Sequence, residues 1–368
     1  MRERDRGPRG PRPGRIRIMI EPLLIGTRKI GEGNPVFIVA ELSANHGGEY
    51  ERAVELVHAA HDAGADAVKL QTYTPDTMTI ESDREAFRAG PGTMWEGRTL
   101  YDLYSEAQTP WSWQPRLREV AGHLGIELFS SPFDETAVDF LHEIGVPAFK
   151  IASFEIVDIP LIRRAAATGK PLILSTGMAS LTEISDAVGA AREAGASGVA
   201  LLKCTSAYPA PPEEMNLRTI PDLRERFGVP VGLSDHTLGS AVAVAAVSLG
   251  ASIVEKHLTI SRASGGPDAA FSMEPGEFKE MVREVRIVEA ALGEIRYGAV
   301  RAEEPSRIFR RSLFVVETMK PGDLFNRRNV RAIRPGGGLP PIDLEKVLGR
   351  KARTRIERGV PLSWDLID

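Results

Sequence analysis

Eight short β-rich runs alternating with longer helical patterns predict an α/β protein: a parallel (β/α)8 barrel of the TIM type with a small β-rich tail. The runs are VFIVAEL (36–42), AVKLQT (67–72), ELFSSP (127–132), AFKIAS (148–153), PLILST (171–176), VALLKC (199–204), VGLSDH (231–236) and SIVEKHLT (252–259). Between them apolar residues recur at helical spacing, as over 50–63, 136–144, 181–194 and 241–249. Units of roughly 30 residues in this alternation close into a barrel ringed by helices. A doubly wound open sheet is the rival, but the glycine-rich nucleotide turn expected after its first strand is missing.

The remaining segments follow in chain order. Residues 1–16 hold six arginines and three prolines without an apolar core. They read as a disordered arm, or as sequence upstream of a start near Met19, and residues 1–30 as a whole read as arm and lead-in. The barrel is expected over 31–293. Turns such as AGAD, LGIE, IGVP and LGAS place a glycine just after a helix, a common C-terminal stop. A long insertion after the second strand, 73–114, carries Trp95, Tyr101, Tyr104, Trp111 and Trp113. Loops on that end of a barrel form the catalytic face, so the insertion is expected to wall a substrate pocket, or else to pack its aromatics internally. The last barrel helix is expected over 275–292, a charged linker over 294–307, and a compact tail over 308–368 broken by Lys-Pro-Gly and Pro-Gly-Gly turns.

Composition narrows the function. The 368 residues are 42% hydrophobic and 26% charged with a net charge of -4, which gives no reason to expect nucleic acid or an anionic membrane as partner. No apolar run approaches the roughly 18 residues of a membrane helix. Cys204 is the single cysteine, so no intrachain disulfide forms and a reducing cytoplasm suits the chain.

Most strand ends keep polar groups where a barrel opens. Glu41 closes the first strand, and Lys69 and Gln71 share a face of the second by their two-residue spacing. Ser130 and Ser131, Lys150 and Ser153, Ser175 and Thr176, and Lys203, Thr205 and Ser206 follow on the next four. Ser234 with His236, and Glu255 with His257, share faces of the last two. Singly, a serine here is a helix cap, a lysine reaches water and a histidine is a hydrogen-bonded core residue. Together they point to one mouth, where so many polar groups would be costly to bury without a ligand. Lys69 and Lys150 with the strand-end hydroxyls suit an anion such as a phosphate or carboxylate. Neutral His236 and His257 could hold Mn²⁺ or a similar divalent ion with positions left open for water and a substrate oxygen. Strict alternation does not put Lys150 and Ser153 on one face, so a bulge or the strand end must bring them together.

The ordered strings FIVAELSANHGG, AGADAVKLQT, FSSPF, KIASFE, LSTGM, CTSAYP, GLSDHT and EKHLT resemble the sialic acid synthases from about Gly31 to the C-terminus. The tail resembles that family's antifreeze-like (SAF) domain. GRTLYDLYSEAQTPWSW, KIASFEIVDIPLI, GGPDAAFSMEP and PLSWDLI are most similar to the branch that makes pseudaminic acid. Lys203 and Ser206 stand where the N-acetylneuraminate branch carries histidine and asparagine, which points away from N-acetylmannosamine.

The resemblance implies condensation of phosphoenolpyruvate with an N-acylated amino-sugar aldehyde, here 2,4-diacetamido-2,4,6-trideoxy-L-altrose, releasing phosphate. It implies His236 and His257 as ligands of a divalent metal, Mn²⁺ with Mg²⁺ or Co²⁺ as alternatives. Lys69, Lys150, Ser153, Ser206 and Ser234 would hold phosphoenolpyruvate. Gln71, Tyr208 and Asp268 would line the sugar end, with Glu41 and Glu155 near the reacting carbons. Glu41 is the expected carrier of the water or aldehyde proton, and Asp268 would orient the sugar hydroxyls. It further implies a homodimer that exchanges tails, with Arg334 serving the neighbouring barrel. The alternatives are a sister N-acetylneuraminate or legionaminic acid synthase, a Schiff-base aldolase using Lys69, Lys150 or Lys203, and a sugar- or ice-binding module on a structural barrel.

Overall fold

The computed structural model describes residues 20–368 and divides into two units, one ending at Gly293 and one spanning Glu294–Asp368. The expected arm over 1–16 and the start near Met19 lie outside the described residues. The lead-in to the barrel carries secondary structure of its own. Two strands, β1 (Leu23–Ile25) and β2 (Arg28–Ile30), pair as an antiparallel hairpin. Leu23, Ile25 and Ile30 are buried in one core with Phe37, Ala67 and Phe129, while Leu24, Arg28 and Lys29 are exposed. Phe37 and Ala67 begin their strands, so the hairpin plugs the N-terminal mouth of the barrel. Burial of such side chains is worth roughly 1.5–3 kcal/mol each.

The eight barrel strands are β3 (Phe37–Glu41), β4 (Ala67–Thr72), β5 (Glu127–Pro132), β6 (Phe149–Ile151), β7 (Leu172–Ser175), β8 (Val199–Cys204), β9 (Val231–Asp235) and β10 (Ile253–His257). All pairs are parallel, and β10 closes against β3. Nearly every strand residue is buried, because the inward face fills the barrel and the outward face meets helices. The helices are α1 (Tyr50–Asp62), α2 (Pro75–Met78), α3 (Leu100–Ala107), α4 (Gln114–Leu124), α5 (Glu135–Glu143), α6 (Ile159–Ala166), α7 (Leu181–Glu193), α8 (Thr219–Phe227), α9 (Ala241–Ser248) and α10 (Pro275–Leu292). On α1, Ala53, Leu56, Val57 and Ala60 form the buried stripe, and Phe278, Met281, Val282 and Val285 do so on α10. Asp134, Asp158 and Ser180 cap α5, α6 and α7 by accepting from first-turn amides. Gly125 ends α4 at φ 75, a left-handed conformation that glycine adopts without steric cost.

Strand register aligns the polar residues at the C-terminal mouth. Glu41 lies opposite His257 on one side and Lys69 on the other. Ser234 lies between Cys204 and Glu255.

In the second unit, β11 (Ser312–Val315) pairs with β12 (Val330–Ile333) in antiparallel fashion. Leu313, Val315, Met319, Phe325, Val330, Ala352, Ile356 and Leu362 form its core, together with Val347 of the short helix α11 (Leu344–Val347). A nine-residue 3-10 helix, Arg301–Phe309, occupies part of the stretch expected to be a plain linker. Arg334 follows β12 directly and is exposed. No described helix is long and apolar enough to cross a membrane.

Candidate active site

The C-terminal ends of the barrel strands surround a cavity of about 870 Å³. Glu41, Lys69, Gln71, Lys150, Ser153, Glu155, Ser206, Tyr208, Ser234, His236, His257 and Asp268 all line it. Of the residues singled out in the sequence, Arg334 alone belongs to the other unit. Lys150 and Ser153 reach the same cavity because β6 ends at Ile151 and the chain leaves the strand before Ser153. The insertion contributes Trp95 and Tyr104 to the wall, and the Trp95 indole donates to the Pro267 carbonyl at 3.1 Å. Trp111 instead stacks on Phe140, and Trp113 packs against His46 and Tyr50. Both readings of the insertion therefore hold, for different aromatics.

At the floor, two ammonium groups meet two carboxylates. Lys69 Nζ lies 2.8 Å from Glu41 Oε2 and 3.3 Å from Glu255 Oε1, and Lys150 Nζ lies 3.7 Å from Glu255 Oε1. Ser234 Oγ donates to Glu255 Oε1 at 3.0 Å. Burial would lower Lys69, but the Glu255 and Glu41 charges outweigh it and raise its affinity for the proton. Burial would likewise raise Glu255, but the ammoniums of Lys150 and Lys69 outweigh it and hold the carboxyl below its usual range. Glu41 is raised, first by burial. Burial also lowers Lys150. The Lys150 ammonium is 2% exposed and finds only distant acceptors among the described residues, Glu255 and the Ile151 carbonyl at 3.4 Å. That unspent donor capacity invites an anion.

Beside this floor, the loops after β6, β7 and β8 converge. Ser153 Oγ and Ser206 Oγ are 2.7 Å apart. Gly177, at φ 46, closes on both: a Cβ there would lie 2.5 Å from Ser153 Cβ and 2.9 Å from Ser206 Oγ. Lys203 takes no part, since its Nζ donates to the Cys204 carbonyl at 2.5 Å and to Thr205 Oγ1 at 3.3 Å. Ser130 faces away as well, within 2.6 Å of Thr72 Oγ1, whereas Ser131 lines the cavity. Of the three lysines a Schiff-base aldolase could use, two are disfavoured here, which leaves Lys150, whose proton affinity burial lowers. Lys69 is held protonated by two carboxylates, and Lys203 is engaged by backbone.

His236 and His257 stand 5.5 Å apart between ring centroids. Burial pushes His236 down to about 4 and His257 well below its ordinary value, so both imidazoles are neutral near pH 7. The His236 Nδ1–H donates to the Thr205 carbonyl at 2.9 Å, which leaves the Nε2 lone pair free. His257 Nδ1 is buried with no hydrogen-bond partner among the described residues. Two neutral imidazoles with uncommitted lone pairs fit a divalent metal. Among the described residues no group of three or more His, Cys, Asp or Glu side chains gathers around one point. The rest of such a metal's shell would therefore be water and substrate oxygen.

At the opposite side, Gln71 Nε2 donates to Glu41 Oε1 at 3.1 Å and to Ser43 Oγ at 3.2 Å. The Ser43 hydroxyl also donates to Asp268 Oδ2. Tyr208 packs on His236 with ring centroids 4.4 Å apart. Glu155 Oε2 is buried with no hydrogen-bond partner among the described residues, and burial raises its carboxyl to about 7. The sequence placed Glu255 at the mouth but gave it no role, and it singled out neither Gly177 nor Ser43. The two-residue step from Glu255 to His257 was a usable signal; the other two depend on which loops meet.

The NeuB family model matches residues 56–297, and the SAF domain model matches residues 310–368. Pseudaminic acid synthase of Helicobacter pylori is 44% identical over 335 residues, 91% of this chain and 98% of that protein. N,N'-diacetyllegionaminic acid synthase of Legionella pneumophila is 35% identical, covering 93% and 98%. Among solved structures, the N-acetylneuraminic acid synthetase of Leptospira borgpetersenii in complex with citrate superposes with a TM-score of 0.70 at 33% identity, covering 79% of this chain and 96% of that one. The chain therefore belongs to the NeuB family, with an SAF domain as its tail.

Proposed function

We propose that this protein is a pseudaminic acid synthase, condensing phosphoenolpyruvate with 2,4-diacetamido-2,4,6-trideoxy-L-altrose and water to give pseudaminic acid and phosphate. The observation that carries the chemistry is the under-used Lys150 ammonium beside two neutral imidazoles with free lone pairs. The sugar assignment rests on the similarity to pseudaminic acid synthases, closer in identity than that to the legionaminic acid synthase.

In this reading Lys69, Lys150 and the hydroxyls of Ser153, Ser206 and Ser234 hold the phosphate and carboxylate of phosphoenolpyruvate. Gln71, Tyr208 and Asp268 receive the open-chain sugar. A divalent ion at His236 and His257, Mn²⁺ with Mg²⁺ or Co²⁺ as alternatives, would polarise the aldehyde oxygen as a Lewis acid. C3 of phosphoenolpyruvate attacks the aldehyde carbon, and the aldehyde oxygen takes up a proton as it becomes a hydroxyl. Water adds to the cationic C2, and the tetrahedral adduct collapses to the keto acid as its bond from C2 to the phosphate oxygen breaks. Glu155, poised near neutrality by burial, is the fitting acceptor for the water proton. Glu41 is committed to Lys69 and Gln71, so its part is to hold them. Arg334 is assigned, on the resemblance, to the sugar site of a second copy in a tail-exchanged homodimer.

Isotopically labelled water tests the reaction class. The label should enter the keto acid, while the released phosphate keeps the bridging oxygen of phosphoenolpyruvate and stays unlabelled. Label in the phosphate would mean cleavage at phosphorus and would overturn the mechanism.

A further inference from the structure

Ser43 is buried, yet it sits at φ 45, a left-handed backbone that side-chain-bearing residues seldom adopt. Glycine would relieve that backbone, so a hydroxyl kept there calls for a use. Its contacts supply one. Ser43 Oγ donates its only hydrogen to Asp268 Oδ2 and accepts from Gln71 Nε2 at 3.2 Å. The second Gln71 amide hydrogen goes to Glu41 Oε1 at 3.1 Å. With both hydrogens committed, the amide of Gln71, a residue that lines the cavity, has one orientation, and its Oε1 remains as an acceptor.

We infer that Ser43 is a positioning residue for the sugar end of the site: its hydroxyl fixes the Gln71 amide and the Asp268 carboxylate as paired acceptors for acylamino N–H and hydroxyl hydrogens of the substrate. Resting on the function proposed above, it adds a residue that sets which sugar is accepted. A wall of fixed acceptors rejects a sugar whose donors fall elsewhere, because buried polar groups would then go unpaired. Phosphoenolpyruvate, which carries no such donors, would not sense the change.

The test compares metal-loaded wild type with Ser43→Ala and Ser43→Gly, measuring KM for each substrate, kcat, and thermal midpoint. Both variants lose the hydroxyl; only glycine also relieves the backbone. Both should raise the KM for the L-altro diacetamido sugar by about tenfold, the loss of roughly one well-made hydrogen bond. The KM for phosphoenolpyruvate should stay within twofold, and Ser43→Gly should melt above Ser43→Ala. An unchanged sugar KM, an equal rise for phosphoenolpyruvate, or a KM defect that appears in Ser43→Ala but not in Ser43→Gly would each overturn the inference while leaving the proposed function standing. Wild-type protein silent with this sugar would instead overturn the proposed function, and this inference with it.

Discussion

Burial places the Glu155 carboxyl at about 7, against an ordinary 4.5, and its Oε2 has no hydrogen-bond partner among the described residues. Both a rate and a stability follow from that one group. If Glu155 takes the water proton, kcat/KM should rise with pH through about 7. Glu155→Gln should abolish that limb and lower the plateau by about 10²–10⁴-fold. The stability effect has the opposite sense to that of a salt-bridged carboxylate, because the folded value is raised. Below 4.5 the group is neutral in both states and contributes nothing. Between 4.5 and about 7 the unfolded chain ionises first, so stability falls with rising pH by up to about 3 kcal/mol and then levels off. Glu155→Gln should therefore unfold at higher urea than wild type at pH 8, with the gap narrowing toward pH 5. A gap that stays constant with pH would contradict the assignment.

At the scale of elements, the phosphate end of the site depends on the meeting of three loops. Gly177→Ala would push into Ser153 and Ser206 from a left-handed backbone. It should raise the KM for phosphoenolpyruvate at least about tenfold while the sugar KM moves less. An unaltered KM for phosphoenolpyruvate would show that the Ser153–Ser206 pair does not hold that substrate. The plug at the other mouth is structural. Ile25 is fully buried, so Ile25→Ala should cost about 2–5 kcal/mol in chemical unfolding, and a loss under about 1 kcal/mol would mean that the hairpin is loosely attached.

These two cases also show what a sequence reveals. The barrel strands were legible because each is a continuous apolar run closed by polar groups, and the two-residue steps from Ser234 to His236 and from Lys69 to Gln71 put their side chains on shared faces. The hairpin was not legible: three-residue strands with exposed Leu24, Arg28 and Lys29 carry too little periodicity to register. Gly177 and Ser43 owe their roles to long-range approach and to backbone conformation, which no local pattern encodes. Glu255 was visible beside His257, but its place between two lysines required the closure of β10 on β3.

For the whole molecule, a barrel plugged at one end and opening at the other onto a polar cavity of about 870 Å³ brings the anion cradle, the imidazole pair and the acceptor wall into one space. The near-neutral net charge of -4 means that substrate anions must be recognised inside that cavity rather than steered by the surface as a whole. The measurement that bears most directly on this account is phosphate release from phosphoenolpyruvate with Mn²⁺ present. The L-altro diacetamido sugar, its D-manno isomer and N-acetylmannosamine would be supplied in parallel, each with and without a chelator. The account predicts turnover with the L-altro sugar and its loss on chelation. Preference for either of the other sugars would contradict the substrate assignment, and undiminished turnover in chelator would contradict the role given to His236 and His257.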